Sequence, residues 1–183
     1  KPGAAVGSGL NEHRQSLLSE EGILNCMRIL LQRVSSASVT VEGNVTGEIG
    51  PGLLVFLGIG HGDTEEHAVY LVEKILNLRV FEDELGKMNK TVGDIGGGLL
   101  IVSQFTLYAD IGRGRRPGFD KAAPPDLARN LYDFFINQAK IRHDNTAMGV
   151  FQAHMIVRLA NDGPCSIFYD SIDKFPDKSH PVK

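Results

Sequence analysis

The stretch MRILLQRVSSASVTVEGNVTGEIGPGLLVFLGI, residues 27–59, decides the fold. MRILLQRV is a short apolar run that reads as a buried strand. SASVTV, the turn Glu42-Gly43-Asn44 and VTGEI read as a β-hairpin, with β-branched residues alternating on both sides of turn residues. Pro51-Gly52 marks a second turn. LLVFLGI after it is a continuous apolar strand, as found in the middle of a sheet.

Downstream, Asp63 has the chemistry of a helix N-cap, with Glu66 at the capping-box position. The helix it opens spans Thr64 to Leu76, with Ala68, Leu71, Val72, Ile75 and Leu76 on one apolar face. LRVFED is a strand candidate, and Gly86 suits a turn before KMN. Gly96-Gly97-Gly98 leads into LLIVSQFTLYA, the longest apolar strand signal in the chain. IGRGRRPGF is an irregular basic loop. Pro125 is well placed at the start of a second helix, whose core face is Leu127, Leu131, Phe134, Phe135 and Ile141. Asn145 to Gly149 reads as a connection, FQAHMIVRLA as a strand, NDGP as a sharp turn and CSIFYD as a final strand.

Strands outnumber helices and many are hairpin-linked, so a purely parallel sheet does not account for them. The pattern predicts a mixed α/β fold, a three-layer β/β/α arrangement with largely hairpin-linked strands and two main helices. The organisation expected is a flexible N-terminal extension at 1–26, a folded domain at 27–172 and a polar C-terminal tail at 173–183. The extension has no apolar core behind a charged start and carries Glu12, Glu20 and Glu21, so it reads as neither a secretory signal nor a transit peptide.

The 183 residues, 42% hydrophobic and 22% charged, have the balance of one globular domain. Cys26 and Cys165 are too few for a disulfide framework, which points to a reduced, cytoplasmic setting. No apolar run approaches the roughly 20 residues of a membrane span. With 19 basic and 22 acidic residues the net charge is −3, which argues against binding DNA or RNA through bulk electrostatics. A local contact remains open at Arg113, Arg115 and Arg116, where a solvated arginine loop is the plainer account.

Gly58-x-Gly60-x-Gly62 follows a strand and precedes a helix, as in a dinucleotide-binding turn. The sixth place, however, is Asp63, a carboxylate where a pyrophosphate would sit, and no cofactor is expected. Metal binding is also not expected. His61 and His67 form no helical i, i+4 pair, and His154 falls within a strand. No G-x-S-x-G elbow supports a serine triad.

Two stretches remain. SQFTLYAD, Ser103 to Asp110, places hydroxyl, amide and backbone donors at a sheet rim, a set able to hold an ester carbonyl or its oxyanion. NDGP, Asn161 to Pro164, puts main-chain carbonyls within reach of a ligand, because glycine has no Cβ. A cis Gly-Pro bond would let both carbonyls point the same way. Read alone, each is equally a strand end and a β-turn, and that plainer reading is the stronger one.

Together, with LLQRVSSASVTVEGNVTGEIGPGLLVFLGI and GKMN, these stretches resemble the D-aminoacyl-tRNA deacylase family (D-tyrosyl-tRNA deacylases). The likeness covers nearly all of Met27 to about Tyr169, and the order of several stretches is far more specific than either motif. The resemblance implies chiral proofreading. The ester of a D-amino acid, or of glycine, with tRNA would be hydrolysed and the L-aminoacyl ester rejected. It implies a homodimer with sites at the subunit interface. Ser103, Gln104, Phe105 and Thr106 would hold the ester. Gly163 and Pro164 of one subunit would form a chiral gate in the other's pocket, braced by Arg33. Phe151 and Met155 would pack on the terminal adenosine. The tRNA 2′-hydroxyl is the expected activator of water, with Thr106 as a positioning group. Cys165 and Ser166 depart from the small aliphatic residue and threonine usual after Gly-Pro. Ser166 keeps the hydroxyl, so the turn should survive. The alternatives are a non-catalytic RNA-binding module using the arginine loop, and a small-molecule hydrolase with Thr106 as nucleophile.

Overall fold

The structure is a computed structural model and describes residues 26–112 and 114–175. The expected extension up to residue 25, Arg113 of the basic loop and the tail from residue 176 lie outside the described residues. Among the described residues there are eight strands, two α-helices and two short 3-10 turns. In chain order these are β1 (Arg28–Val41), β2 (Asn44–Ile49), β3 (Gly52–Gly58), α1 (Glu65–Leu76), β4 (Phe81–Glu82), β5 (Met88–Lys90), β6 (Gly98–Ser103), α2 (Pro125–Arg142), β7 (Thr146–Met148) and β8 (Ile156–Asp170).

The 27–59 stretch forms one long antiparallel hairpin: the turn at Glu42-Gly43 stands as expected, but Pro51-Gly52 does not reverse the chain and only divides the returning arm into β2 and β3, both antiparallel to β1. The two expected strands on its N-terminal side are one, β1, which pairs with β3 through Val34 and with β2 from Ala37 onward. Ser35 and Ser36 break the apolar pattern where β1 passes from one neighbour to the next, and both are exposed there. β6 then pairs parallel to β3, and β7 parallel to β6. Each parallel step is bridged by a helix, as a parallel connection requires. β8 covers the other edge of β1. The sheet curls until β2 approaches β7: a Cβ on Gly47 would lie 2.6 Å from the Met148 carbonyl oxygen.

The pleat divides the core in two. Leu53, Val55, Leu57, Leu99 and Ile101 point toward the helices, meeting Leu71 and Ile75 of α1 and Leu131 and Phe135 of α2. Leu54, Leu100 and Val102 point into the curl, against Val34, Val39 and Ile49. Helices, sheet and the folded-over strands give the β/β/α layering. Gly52 and Gly98 allow β3 and β6 to start against one another, since a Cβ on Gly52 would lie 2.0 Å from the Gly98 carbonyl oxygen.

Several local expectations are corrected. Thr64, not Asp63, caps α1, and its partner in the capping box is His67, not Glu66. The Thr64 backbone N–H donates to His67 Nδ1 at 3.1 Å. Asp63 instead accepts from the Gly60 N–H at 2.6 Å. LRVFED yields only β4, which forms a separate ribbon with β5. The long 99–109 strand signal stops at Ser103, and Phe105–Tyr108 is a 3-10 turn. Ile141 is 75% exposed, because two residues past buried Ala139 is the opposite side of a helix. Asn145–Gly149 contains β7 rather than a bare connection, and Phe151–Met155 is irregular chain before β8. NDGP is not a hairpin turn between two strands, because β8 runs through it. After Ile172 the described chain is held in place, with Phe175 packing 4.4 Å from the His67 ring and 5.5 Å from that of Tyr70.

Candidate active site

β6 delivers Ser103 to the sheet rim opposite Leu57, and the Gln104 N–H closes that end on the Leu57 carbonyl at 2.7 Å. The chain then turns. Tyr108 is buried and donates its hydroxyl to the Cys26 carbonyl at 2.6 Å. Arg28 Nη1 reaches the Leu107 carbonyl at 3.1 Å. The 3-10 turn is therefore tied back to the start of β1. Phe105 and Thr106 are left exposed on its outer side. Gln104 Nε2 donates to Thr106 Oγ1. Among the described residues, no Asp, Glu or His hydrogen-bonds to that hydroxyl, so no side chain is placed to take its proton.

A cavity of about 510 Å³ opens beside this turn. Ser103, Gln104 and Phe105 line one side, and Phe151 and Met155 line another. Five of the residues expected in a site thus share one cavity. Ala122, Ala123, Pro125 and Ala128 form a further wall. Small residues at the mouth of a helix carry no chemical signal, so sequence reasoning passed over them. Tyr132 fixes this side, donating to the carbonyls of Ile101 at 3.0 Å and Gly149 at 3.3 Å, with the Phe151 ring 5.6 Å away.

The basic loop lies beside the turn. Asp110 and Gly118 exchange backbone hydrogen bonds of 2.8 and 2.9 Å, and Phe119 meets the Phe105 ring edge-on at 4.9 Å. Arg115 and Arg116 are exposed on it.

Gly163 and Pro164 stand elsewhere. They belong to a four-residue bulge, residues 162–165, flanked by the pairs Val34↔Asn161 and Gln32↔Ser166. Arg33 lies between those pairs on β1, opposite Leu53. Four strand residues separate Leu53 from Leu57, so the bulge sits about 13 Å along the sheet from the Ser103 end. The Gly163-Pro164 peptide is cis and Gly163 has φ +140°. Both residues are exposed. Arg33, only 6% exposed, donates from Nε to the Asp162 carbonyl at 2.9 Å and from Nη1 to the Val80 carbonyl at 2.6 Å. Asn161 clasps the far side, its Oδ1 accepting from the Cys165 N–H at 2.7 Å and its Nδ2 reaching the Cys165 carbonyl at 3.2 Å. Ser166 Oγ accepts from Asn161 at 3.2 Å and Gln32 at 2.9 Å, so the hydroxyl at this position has a structural use. Cys165 is half-buried and packs against the core.

Under the 3-10 turn lies a polar group that the sequence did not single out for chemistry. Asp63 is buried with Oδ1 unpartnered, and burial raises its carboxyl to about pKa 7. Burial also raises the Tyr108 and Tyr132 hydroxyls well above the ordinary tyrosine range. Among the described residues no three His, Cys, Asp or Glu side chains converge as a metal site, and no helix is long and apolar enough to cross a membrane.

A family model described as D-Tyr-tRNA(Tyr) deacylase matches residues 30–170. A D-aminoacyl-tRNA deacylase of Clostridioides difficile is 54% identical over 149 residues, covering 81% of this chain and all of the relative. One from Koribacter versatilis is also 54% identical, again over 81% of this chain and its own full length. A solved structure described as c-Myc DNA Unwinding Element Binding Protein superposes with TM-score 0.75 at 42% identity, covering 79% of this chain and 98% of that one. A probable eukaryotic D-amino acid tRNA deacylase shares the fold at TM-score 0.71 and 17% identity, with the same coverage. A match over residues 30–170, at this identity and over the relatives' whole length, settles the affiliation: the chain belongs to the D-aminoacyl-tRNA deacylases, hydrolases of the ester bond of aminoacyl-tRNA.

Proposed function

We propose that this chain removes D-amino acids, and glycine, from tRNA and spares L-aminoacyl-tRNA, in a site completed by a second copy of itself. One observation carries the reading. The Gly163-Pro164 bulge is held rigidly by buried Arg33 yet is exposed and remote from its own chain's Ser103 cavity. A braced loop whose Gly163 and Pro164 face solvent in their own subunit suits insertion into the cavity of another. β8, which carries it, also exposes Ile156 (49%) and Phe168 (55%), apolar surface suited to a homodimer contact.

In this reading Ser103, Gln104, Phe105 and Thr106 hold the ester and its developing oxyanion. Phe151 and Met155 take the terminal adenosine. The partner's Gly-Pro carbonyls accept from the substrate's α-amino group and leave no room for an L side chain. Glycine, being achiral, passes. Selection rests on exclusion rather than on tighter binding of the D form. With only an amide paired to Thr106, the terminal ribose 2′-hydroxyl serves as activator of the attacking water. The protein contributes placement and electrostatics. Arg115 and Arg116 favour the tRNA backbone. We assign the activity to residues 27–172 and place the protein in the cytoplasm, acting on no DNA.

The test is incubation of the protein with D-Tyr-tRNA and L-Tyr-tRNA. Preferential loss of the D ester is expected. Equal rates would overturn the chiral reading, and tight binding without hydrolysis would favour an RNA-binding module. Thr106→Ala should keep activity within about tenfold, the range for losing one positioning contact. A folded, tRNA-binding but dead Thr106→Ala would make Thr106 the nucleophile.

A further inference from the structure

Arg129 is a group that the site as described does not use. It lies on α2 beside Ala128, a cavity-lining residue, and is exposed. Its guanidinium carbon sits 4.8 Å from the centre of the Phe151 ring, and Nη2 donates to Gln152 Oε1 at 3.0 Å. Gln152 has φ +63°, a left-handed conformation uncommon outside glycine. Phe151 thus has two neighbours that fix its ring, Tyr132 with its centroid at 5.6 Å and the Arg129 guanidinium.

A guanidinium carries five N–H donors in a planar fork. Gln152 takes one of them. Asp126 and Asp133 lie one helical turn away on either side along α2, but no described carboxylate comes within ion-pair distance of Arg129. This is an unneutralised cation at the lip of a mostly apolar cavity. A planar fork presenting paired donors is suited to phosphate more than a point charge is.

We infer that Arg129 is a positioning residue that binds the phosphate of the nucleotide whose base rests on Phe151. The inference deepens the proposed function and rests on it. A nucleoside that packs against Phe151 from the cavity carries its 5′-phosphate toward the ring's edge, within reach of the donors that Arg129 does not give to Gln152. Gln152 holds the fork at that edge, and its left-handed backbone turns the side chain back toward α2. The contact would read the sugar–phosphate chain and not base identity.

The experiment uses the full chain and three substrates: D-Tyr-tRNA, 2′(3′)-O-D-tyrosyl-adenosine and the 5′-monophosphate of that adenosine ester. Wild-type protein should show a KM for the monophosphate about fivefold below that for the unphosphorylated ester, with kcat unchanged, as one exposed charge-assisted contact gives. Arg129→Ala should bring the two KM values together. Arg129→Lys, which keeps the charge but not the fork, should retain part of the difference. Raised salt should erode the wild-type difference and leave Arg129→Ala unaffected. If Arg129→Ala weakens both small substrates alike and keeps the phosphate preference, Arg129 merely props Phe151 and the inference fails. Cleavage of D-Tyr-tRNA by wild type with no phosphate preference overturns this inference alone. No cleavage of D-Tyr-tRNA removes the proposed function, and this inference with it.

Discussion

Arg33 shows how one buried side chain can hold an exposed loop in place. Its buried guanidinium holds the carbonyls of Asp162 and Val80. Truncation to alanine leaves both without that donor and should cost roughly 2–4 kcal/mol, read as a lower urea midpoint. Gly163 is constrained more tightly. At φ +140° an added Cβ would lie 2.9 Å from the Cys165 nitrogen and 3.0 Å from Arg33 Nη2. Gly163→Ala should therefore displace the bulge and reduce the ratio of D- to L-Tyr-tRNA hydrolysis by at least about tenfold, the equivalent of ~1.4 kcal/mol. Asp63 gives the fold a pH dependence. Its carboxyl rises from 3.8 to about 7 on burial, so the folded state binds the proton more tightly than the unfolded chain. The stability it contributes is greatest at acid pH, falls as pH climbs from about 4 toward 7, and is flat above. Asp63→Asn should remove that slope from urea midpoints measured between pH 4 and 8. An unchanged slope would mean that another group carries it.

At the level of elements, the turn sequence at Glu42-Gly43 and the apolar periodicity show the 27–59 hairpin and both helices, because those signals are local; Pro51-Gly52 reads as a reversal but only interrupts the returning arm. The signals fail where tertiary contacts decide. SQFTLYA continues the apolar pattern of β6, yet Tyr108 and Arg28 bind the segment to the start of β1, and it bends into a 3-10 turn. The same bend exposes Phe105 and Thr106, so the departure from a strand and the exposure of the candidate site residues have one cause. NDGP carries every mark of a hairpin turn. It becomes a bulge because β1 continues past it and pairs with both flanks. That the Gly-Pro and SQFT stretches do not meet in one chain has no local signature. Neither does the alanine wall at 122–128. The β3–β6 contact is similarly long-range, since Pro51-Gly52 reads as an ordinary turn signal while the missing Cβ of Gly52 makes room for Gly98. Gly52→Ala should push the two strands apart and, with no slack in a 2.0 Å approach, prevent the soluble fold altogether, seen as loss of a cooperative unfolding transition.

For the whole molecule, the proposed division of the site between two copies has an expected result of its own. Co-expression of a Ser103→Ala, Phe105→Ala chain with a Gly163→Ala, Pro164→Ala chain should recover about a quarter of wild-type D-Tyr-tRNA hydrolysis, since half of the dimers are mixed and each has one intact site. Each chain alone should be inactive or unselective. A mixture no better than its parts would put the whole site in one chain. The bulge on β8 has a mechanical consequence. Because Asn161 and Ser166 are each paired to β1, a displacement of the residues between them leaves the pairing on either side in place. Around Cys165 the local bonds show this: its N–H reaches Asn161, and Ser166 after it reaches Gln32. The ladder and the loop it carries are thus mechanically separable, so a side chain in the loop can be altered without unzipping the strands.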